Sequence, residues 1–210
     1  MSLAHNEVMD AQSLLESFGY LVIFGCVFIE CGVLLGLVLP LPGFSLLFTG
    51  GVLAAAGKMD ETAIIIIGSL AAISGYIVGY FTGSKYGRKL FYEKSTGQYF
   101  TKQQGLATEK FMKKYGYSAL ILGRFLPIAH NVIPLLSGVA RTPLLPFMLV
   151  NVIGGFIWVA SSTLLGFYVG QSVPGAQYLI FFFVALTILF ANLPFGKNLL
   201  LKITKKIENI

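Results

Sequence analysis

Apolar and polar positions divide the chain into long hydrophobic runs separated by shorter polar stretches. The runs cover residues 18–57, 62–83, 118–140, 144–170 and 177 to about 196. A helix that crosses a bilayer needs about 20 consecutive apolar residues. The runs 62–83, 144–170 and 177–196 reach that length unbroken, and each predicts a transmembrane helix. The other two are interrupted. Residues 18–57 break at "PLPG", with Pro40, Pro42 and Gly43, and residues 118–140 break at "GRFLPIAHNVIPLLSG", with Pro127, Pro134 and Gly138. Broken backbone at membrane depth is tolerated only where it is buried in protein or lines a polar cavity, so these two segments are the informative ones.

Composition strengthens the membrane reading. Of 210 residues, 56% are hydrophobic and 11% charged, and the mean hydropathy is +0.79, too apolar for an ordinary soluble domain. The longest polar stretch, about 84–114, has no apolar core of its own, so the pattern predicts a polar N-terminal segment (1–17), one membrane domain (18–196) and a basic tail (197–210). The first seventeen residues carry Glu7, Asp10 and Glu16 without Lys or Arg, unlike the basic start of a cleaved signal peptide. Cys26 and Cys31 share one apolar segment, which fits small core residues better than a disulfide framework or metal site.

Charge placement gives an orientation. The loop 84–114 holds Lys85, Arg88, Lys89, Lys94, Lys102, Lys110, Lys113 and Lys114 against Glu93 and Glu109, and the tail adds Lys197, Lys202, Lys205 and Lys206. The positive-inside rule makes both cytoplasmic. Two spans, 144–170 and 177–196, precede the tail, so residue 143 is cytoplasmic as well. Residues 118–140 then begin and end on one side of the membrane, which predicts a re-entrant hairpin. Aromatic residues interleave with the lysines of loop 84–114; this pattern suits a segment lying on an anionic leaflet, and no nucleic-acid partner is expected.

An internal repeat pairs the two broken segments. At an offset of 87 residues, Gly36 matches Gly123, Leu39 and Pro40 match Leu126 and Pro127, and Gly51 and Val52 match Gly138 and Val139. Paired interruptions in two inverted halves point to a transporter's binding site. The expected fold is therefore an all-α polytopic membrane protein in which two oppositely oriented re-entrant helical hairpins pack among about three transmembrane helices. Within the span 62–83 and just beyond it, Ala71, Gly75, Gly79, Gly83 and Gly87 recur at every fourth position, forming a smooth face for close helix approach.

The ionisable residues within the apolar segments are Glu30, Arg124 and His130. A charge at the bilayer centre costs at least about 2.5–3.5 kcal/mol, so it is paired or functional. One reading makes Glu30 and Arg124 a buried ion pair joining the two halves. The other gives Arg124 a phosphate to bind through its planar fork of donors, makes Glu30 a proton-accepting carboxylate, and adds His130 and Asn131 as further contacts. Enzyme chemistry lacks its parts. No Gly-x-Ser-x-Gly elbow, P-loop or His-Glu-x-x-His is present, and Asp10 and Asp60 are the only aspartates, so neither a catalytic site nor a metal or other cofactor is expected.

The stretch 123–138 resembles the second signature of the DedA family of bacterial membrane proteins, within the VTT/SNARE-associated domain superfamily. Arg124, Pro127, Pro134, Ser137 and Gly138 match it, with His130 where the family usually has a second Arg. Glu30, Pro42 and Gly43 are similar to the first signature, with Phe44 in place of its second acid, and Tyr76 replaces an Asp in "GYIVGYFTGSKYG". Asn151, Gly154, Trp158 and residues 166–170 fit the following span. The resemblance implies opposed re-entrant hairpins, dependence on proton motive force, and translocation of a phosphate-bearing lipid such as undecaprenyl phosphate or a phospholipid. The expected function is thus a proton-coupled lipid flippase of the bacterial cytoplasmic membrane, multi-pass with a cytoplasmic C-terminus, whose partners are membrane lipids. A homo-oligomer is compatible with it. The alternatives are a non-transporting membrane scaffold or a small-solute proton antiporter.

Overall fold

The computed structural model describes residues 2–32, 43–88, 115–118, 120–121, 124 and 129–173. Most of these are helical, with no strand among the described residues. Five helices organise them: α1 (Ser2–Gly32), α2 (Gly43–Ala55), α3 (Glu61–Arg88), α4 (Ala129–Val139) and α5 (Leu144–Ser172). The expected span 177–196, most of the basic loop, and Pro40, Pro42 and Pro127 lie outside the described residues. α3 begins at Asp60, whose carboxylate accepts the Ala63 amide at 2.7 Å as an N-cap. It runs to Arg88, beyond the end of the apolar run, so its C-terminal turn carries Lys85 and Arg88.

Two helices, Glu61–Tyr86 and Leu144–Ser172, are long and apolar enough to cross a membrane. At 1.5 Å per residue, 26 and 29 residues give about 39 and 43 Å, more than the roughly 30 Å hydrocarbon core. α2, with 13 residues, reaches only about 20 Å. α5 is built inside out. Its buried face carries Asn151, Gly154, Gly155, Ser162, Thr163 and Gly166 besides Phe147, Trp158 and Val159, whereas Leu145, Leu149, Val152, Ile153, Phe156 and Ile157 are exposed. Small and polar residues between helices, with large apolar ones outside, are the arrangement expected where the surroundings are lipid.

Contacts fix the helix directions. Gly43 of α2 lies against Glu30 of α1, and Gly50 lies against Ile23, so α1 and α2 are antiparallel. Where α2 leads into α3, the Asp60 amide donates to the hydroxyl of Tyr20, midway along α1, at 2.9 Å. α3 and α5 are also antiparallel, since Gly68 packs on Val159 while Tyr80 meets Phe147 at 4.6 Å between ring centroids. At the middle of α3, Gly75 touches Phe28, Cys31 and Gly32 of α1.

The repeat reappears in three dimensions as two equivalent helix crossings. α2 packs chiefly on α5, and α4 chiefly on α3. A Cβ on Gly51 would strike the Thr163 carbonyl and the Phe167 amide; one on Gly138 would strike the Tyr80 carbonyl and the Ser84 amide. Reciprocally, Gly166 abuts the Phe48 carbonyl and Gly83 the Leu135 carbonyl. A shift of 87 residues carries Phe48 and Gly51 onto Leu135 and Gly138, and a shift of 83 carries Tyr80, Gly83 and Ser84 onto Thr163, Gly166 and Phe167. Each short helix therefore packs on the long helix of the other half, and the antiparallel long helices relate the two halves by inversion.

The same capping geometry ends both short helices. Gly57 (φ 71°) follows α2 and Arg141 (φ 51°) follows α4. Around them the Lys58 amide donates to the Leu53 carbonyl at 2.9 Å and the Thr142 amide to the Ser137 carbonyl at 3.0 Å, both Schellman closures. One expectation needs correction. Pro134 does not break its helix but lies inside α4, because its ring fits over Gly79, where a Cβ would come within 3.1 Å of it.

Candidate functional site

Buried polar side chains collect where α1, α3, α4 and α5 meet. Glu30 is in the last turn of α1, His130 in the first turn of α4, Tyr76 midway along α3, and Asn151 and Trp158 on the inner face of α5. Arg124 sits in a turn, its amide donating to the Ile121 carbonyl at 3.2 Å. Glu30 is 5% exposed and Arg124 3%, so both charges are withdrawn from their surroundings.

The acid and the guanidinium take different partners. Glu30 Oε1 lies 3.3 Å from Nε2 of His130, whose ring is tilted against the indole of Trp158 with centroids 6.0 Å apart. Glu30 Oε2 lies against Gly43, where no Cβ fits, and has no hydrogen-bond partner among the described residues. Gly43 opens α2, so the carboxylate faces the positive end of that helix, a favourable placement for an anion. Arg124 donates from Nη2 to Oδ1 of Asn151, and its Cζ stands 3.8 Å from the centre of the Tyr76 ring. Asn151 is itself held by its Nδ2 donation to the Ile73 carbonyl at 3.0 Å.

Glycines make this arrangement possible. A Cβ on Gly155 would lie 2.9 Å from Arg124 Nη1, and one on Gly154 would lie 3.3 Å from its Cδ. The pair forms a slot on α5 that admits the arginine side chain beside Tyr76. Arg124 Nη1 and the Tyr76 hydroxyl are both buried without a hydrogen-bond partner among the described residues. An unmet buried donor costs about 1–3 kcal/mol, more when charged, so the site holds polar capacity that the described side chains do not use.

The ion pair between Glu30 and Arg124 that the sequence admits is not formed; His130 and Asn151 take their places. Asn131 follows His130 in α4, its side chain outside the described residues. Gly75 lies against α1, and Gly79 and Gly83 against α4, while Gly87 falls in the last turns of α3. The sequence alone assigned no role to Tyr76, Asn151 or Trp158 at the site. Asn151, a strong hydrogen-bonding side chain inside an apolar span, was the available signal. Among the described residues, no group of three His, Cys, Asp or Glu side chains is placed to hold a metal ion.

Comparison with known proteins places this chain in a family. The VTT domain matches residues 21–168. An uncharacterised membrane protein of Mycobacterium tuberculosis is 37% identical over 169 residues, covering 80% of this chain and 72% of its own. Protein DedA of Escherichia coli is 34% identical over 161 residues, 75% of this chain and 71% of its own. The inner membrane protein YghB of Escherichia coli is 32% identical over 163 residues, 78% and 73% respectively. No solved structure matches. The matched region includes all of the site's residues from Glu30 to Trp158, and the chain belongs to the VTT-domain family of membrane proteins that includes DedA.

Proposed function

We propose that the chain is a transporter that moves a phosphate-bearing lipid across the cytoplasmic membrane at the expense of the proton gradient. The observation that carries this reading is Arg124: a guanidinium that is 3% exposed within an apolar bundle and retains an N–H, on Nη1, without a partner among the described residues. Phosphate oxygens match such a donor in charge and in planar geometry. A purely architectural arginine would be expected to spend all its donors inside the fold.

In this reading the antiparallel pair α1–α2 and the segment ending in α4 are re-entrant hairpins that open to opposite faces of the membrane, with α3 and α5 as full spans and the basic loop and tail in the cytoplasm. Arg124 contacts the phosphate, Glu30 carries the coupling proton, and His130 and Asn131 are secondary contacts. The work is translocation and not bond chemistry, and the partners are anionic or zwitterionic lipids. The scaffold reading, which needs Glu30 and Arg124 as a mutual pair, draws no support from side chains that pair elsewhere. Mass spectrometry of lipid copurifying with the protein tests the proposal. Wild type should retain a phosphate-bearing lipid that folded Arg124→Ala does not; equal retention by both would remove Arg124 from the site.

A further inference from the structure

His130 is one of the positions where this chain departs from its resemblance to the DedA signatures, with Phe44 and Tyr76, and it is also the direct partner of Glu30. The contact joins two elements far apart in sequence: the end of α1 and the start of α4. Other charged or titratable groups surround it. Cys26 and Cys31 on α1 are both within electrostatic reach of Glu30; Cys31 and Tyr76 feel both Glu30 and Arg124. Trp158, which does not titrate, closes the α5 side. Arg124 is committed to Asn151 and Tyr76, leaving the imidazole as the basic group on the carboxylate.

Charge on that imidazole is conditional. An arginine at this position would be charged at every physiological pH. A histidine changes charge between about pH 5 and 8.

We propose that His130 is a proton-operated latch: its imidazolium holds the α1–α2 pair to α4 through Glu30, and loss of the proton releases the two, so that this residue sets the pH dependence of the site. The consequence for transport rests on the function proposed above; the latch itself does not.

The molecule carries its own reporter. Trp158 is the single tryptophan, and His5 is the only other histidine. An imidazolium beside an indole quenches its emission by accepting an electron, whereas neutral imidazole quenches far less. The test is Trp158 emission of the full chain in liposomes across about pH 5 to 8, excited at the red edge to spare the tyrosines, for wild type, His130→Gln, His130→Arg and Glu30→Gln. Wild-type emission should be low at the acid end and rise with pH. His130→Gln should be flat, and Glu30→Gln should move the transition along the pH axis. Lipid flux measured in parallel should depend on pH over this window in wild type and lose that dependence in His130→Arg. A flat wild-type profile, a transition that persists in His130→Gln, or one that Glu30→Gln leaves unmoved would overturn the latch. If the emission transitions behave as expected but no variant, wild type included, moves lipid, the latch stands and the transport reading fails.

Discussion

The guanidinium of Arg124 lies over the ring of Tyr76, with Cζ 3.8 Å from its centroid. An aromatic face attracts a desolvated cation by up to about 2 kcal/mol, and it does so without adding a second buried charge. Because the Tyr76 hydroxyl is buried with no partner among the described residues, ring and hydroxyl are separable. Tyr76→Phe should keep activity and leave stability equal or raised by up to about 1 kcal/mol. Tyr76→Leu, which removes the ring face and leaves a cavity, should cost about 2–4 kcal/mol and lower activity. Thermal unfolding in detergent, followed beside lipid flux, checks both.

Gly155 gives Arg124 its place on α5. A Cβ there would come within 2.9 Å of Nη1 and 3.0 Å of Ile73 Cγ1, so Gly155→Ala should push the guanidinium off Tyr76 and reduce flux at least tenfold, about 1.4 kcal/mol of lost stabilisation. Gly25 of α1 has nothing within 4 Å of its would-be Cβ. Gly25→Ala should instead leave flux unchanged and stabilise α1 by about 0.5–1 kcal/mol.

The two crossings predict paired costs. Gly51→Ala and Gly138→Ala each drive a methyl group into the backbone of a long helix, and overpacking of this kind costs about 1–3 kcal/mol. Since the surroundings are equivalent, the two losses should be similar. Because the crossings share no partner residue, the losses should add in the double variant to within about 0.5 kcal/mol. Denaturation of the single and double variants measures this.

Arg141 holds a left-handed conformation (φ 51°) at the position where the equivalent closure of α2 uses Gly57. A side chain in that region costs about 1–2 kcal/mol. Arg141→Gly should therefore raise stability by up to about 1 kcal/mol, read as a higher midpoint of thermal unfolding, without affecting lipid flux.

What the sequence made legible follows from where residue types are costly. Glu30, Arg124 and His130 stood out because charge is expensive among apolar residues, and the glycines of α3 stood out through their four-residue spacing. The offset of 87 was visible because Gly51 and Val52 recur as Gly138 and Val139. The offset of 83 between the long helices was not, since Gly83 and Gly87 recur as Gly166 and Gly170 while the positions facing the site diverge: Gly68 corresponds to Asn151 and Tyr76 to Val159. Pairing was beyond the sequence for a similar reason. Whether Glu30 meets Arg124 or His130 depends on how far α1 and α4 each reach along α3, which the glycine contacts set. Pro134 misled because its effect on α4 depends on the hollow above Gly79, a feature of another helix.

We propose that Arg124 receives a lipid phosphate and that Glu30 couples its movement to protons. The most direct test is flux of a phosphate-bearing lipid in proteoliposomes under an imposed pH gradient, comparing wild type with Arg124→Ala, Arg124→Lys and Glu30→Gln, each shown to be folded. Wild type should show gradient-dependent flux, Arg124→Ala none, Arg124→Lys a part of it, and Glu30→Gln flux without gradient dependence. Undiminished, gradient-dependent flux in folded Arg124→Ala and Glu30→Gln would contradict it.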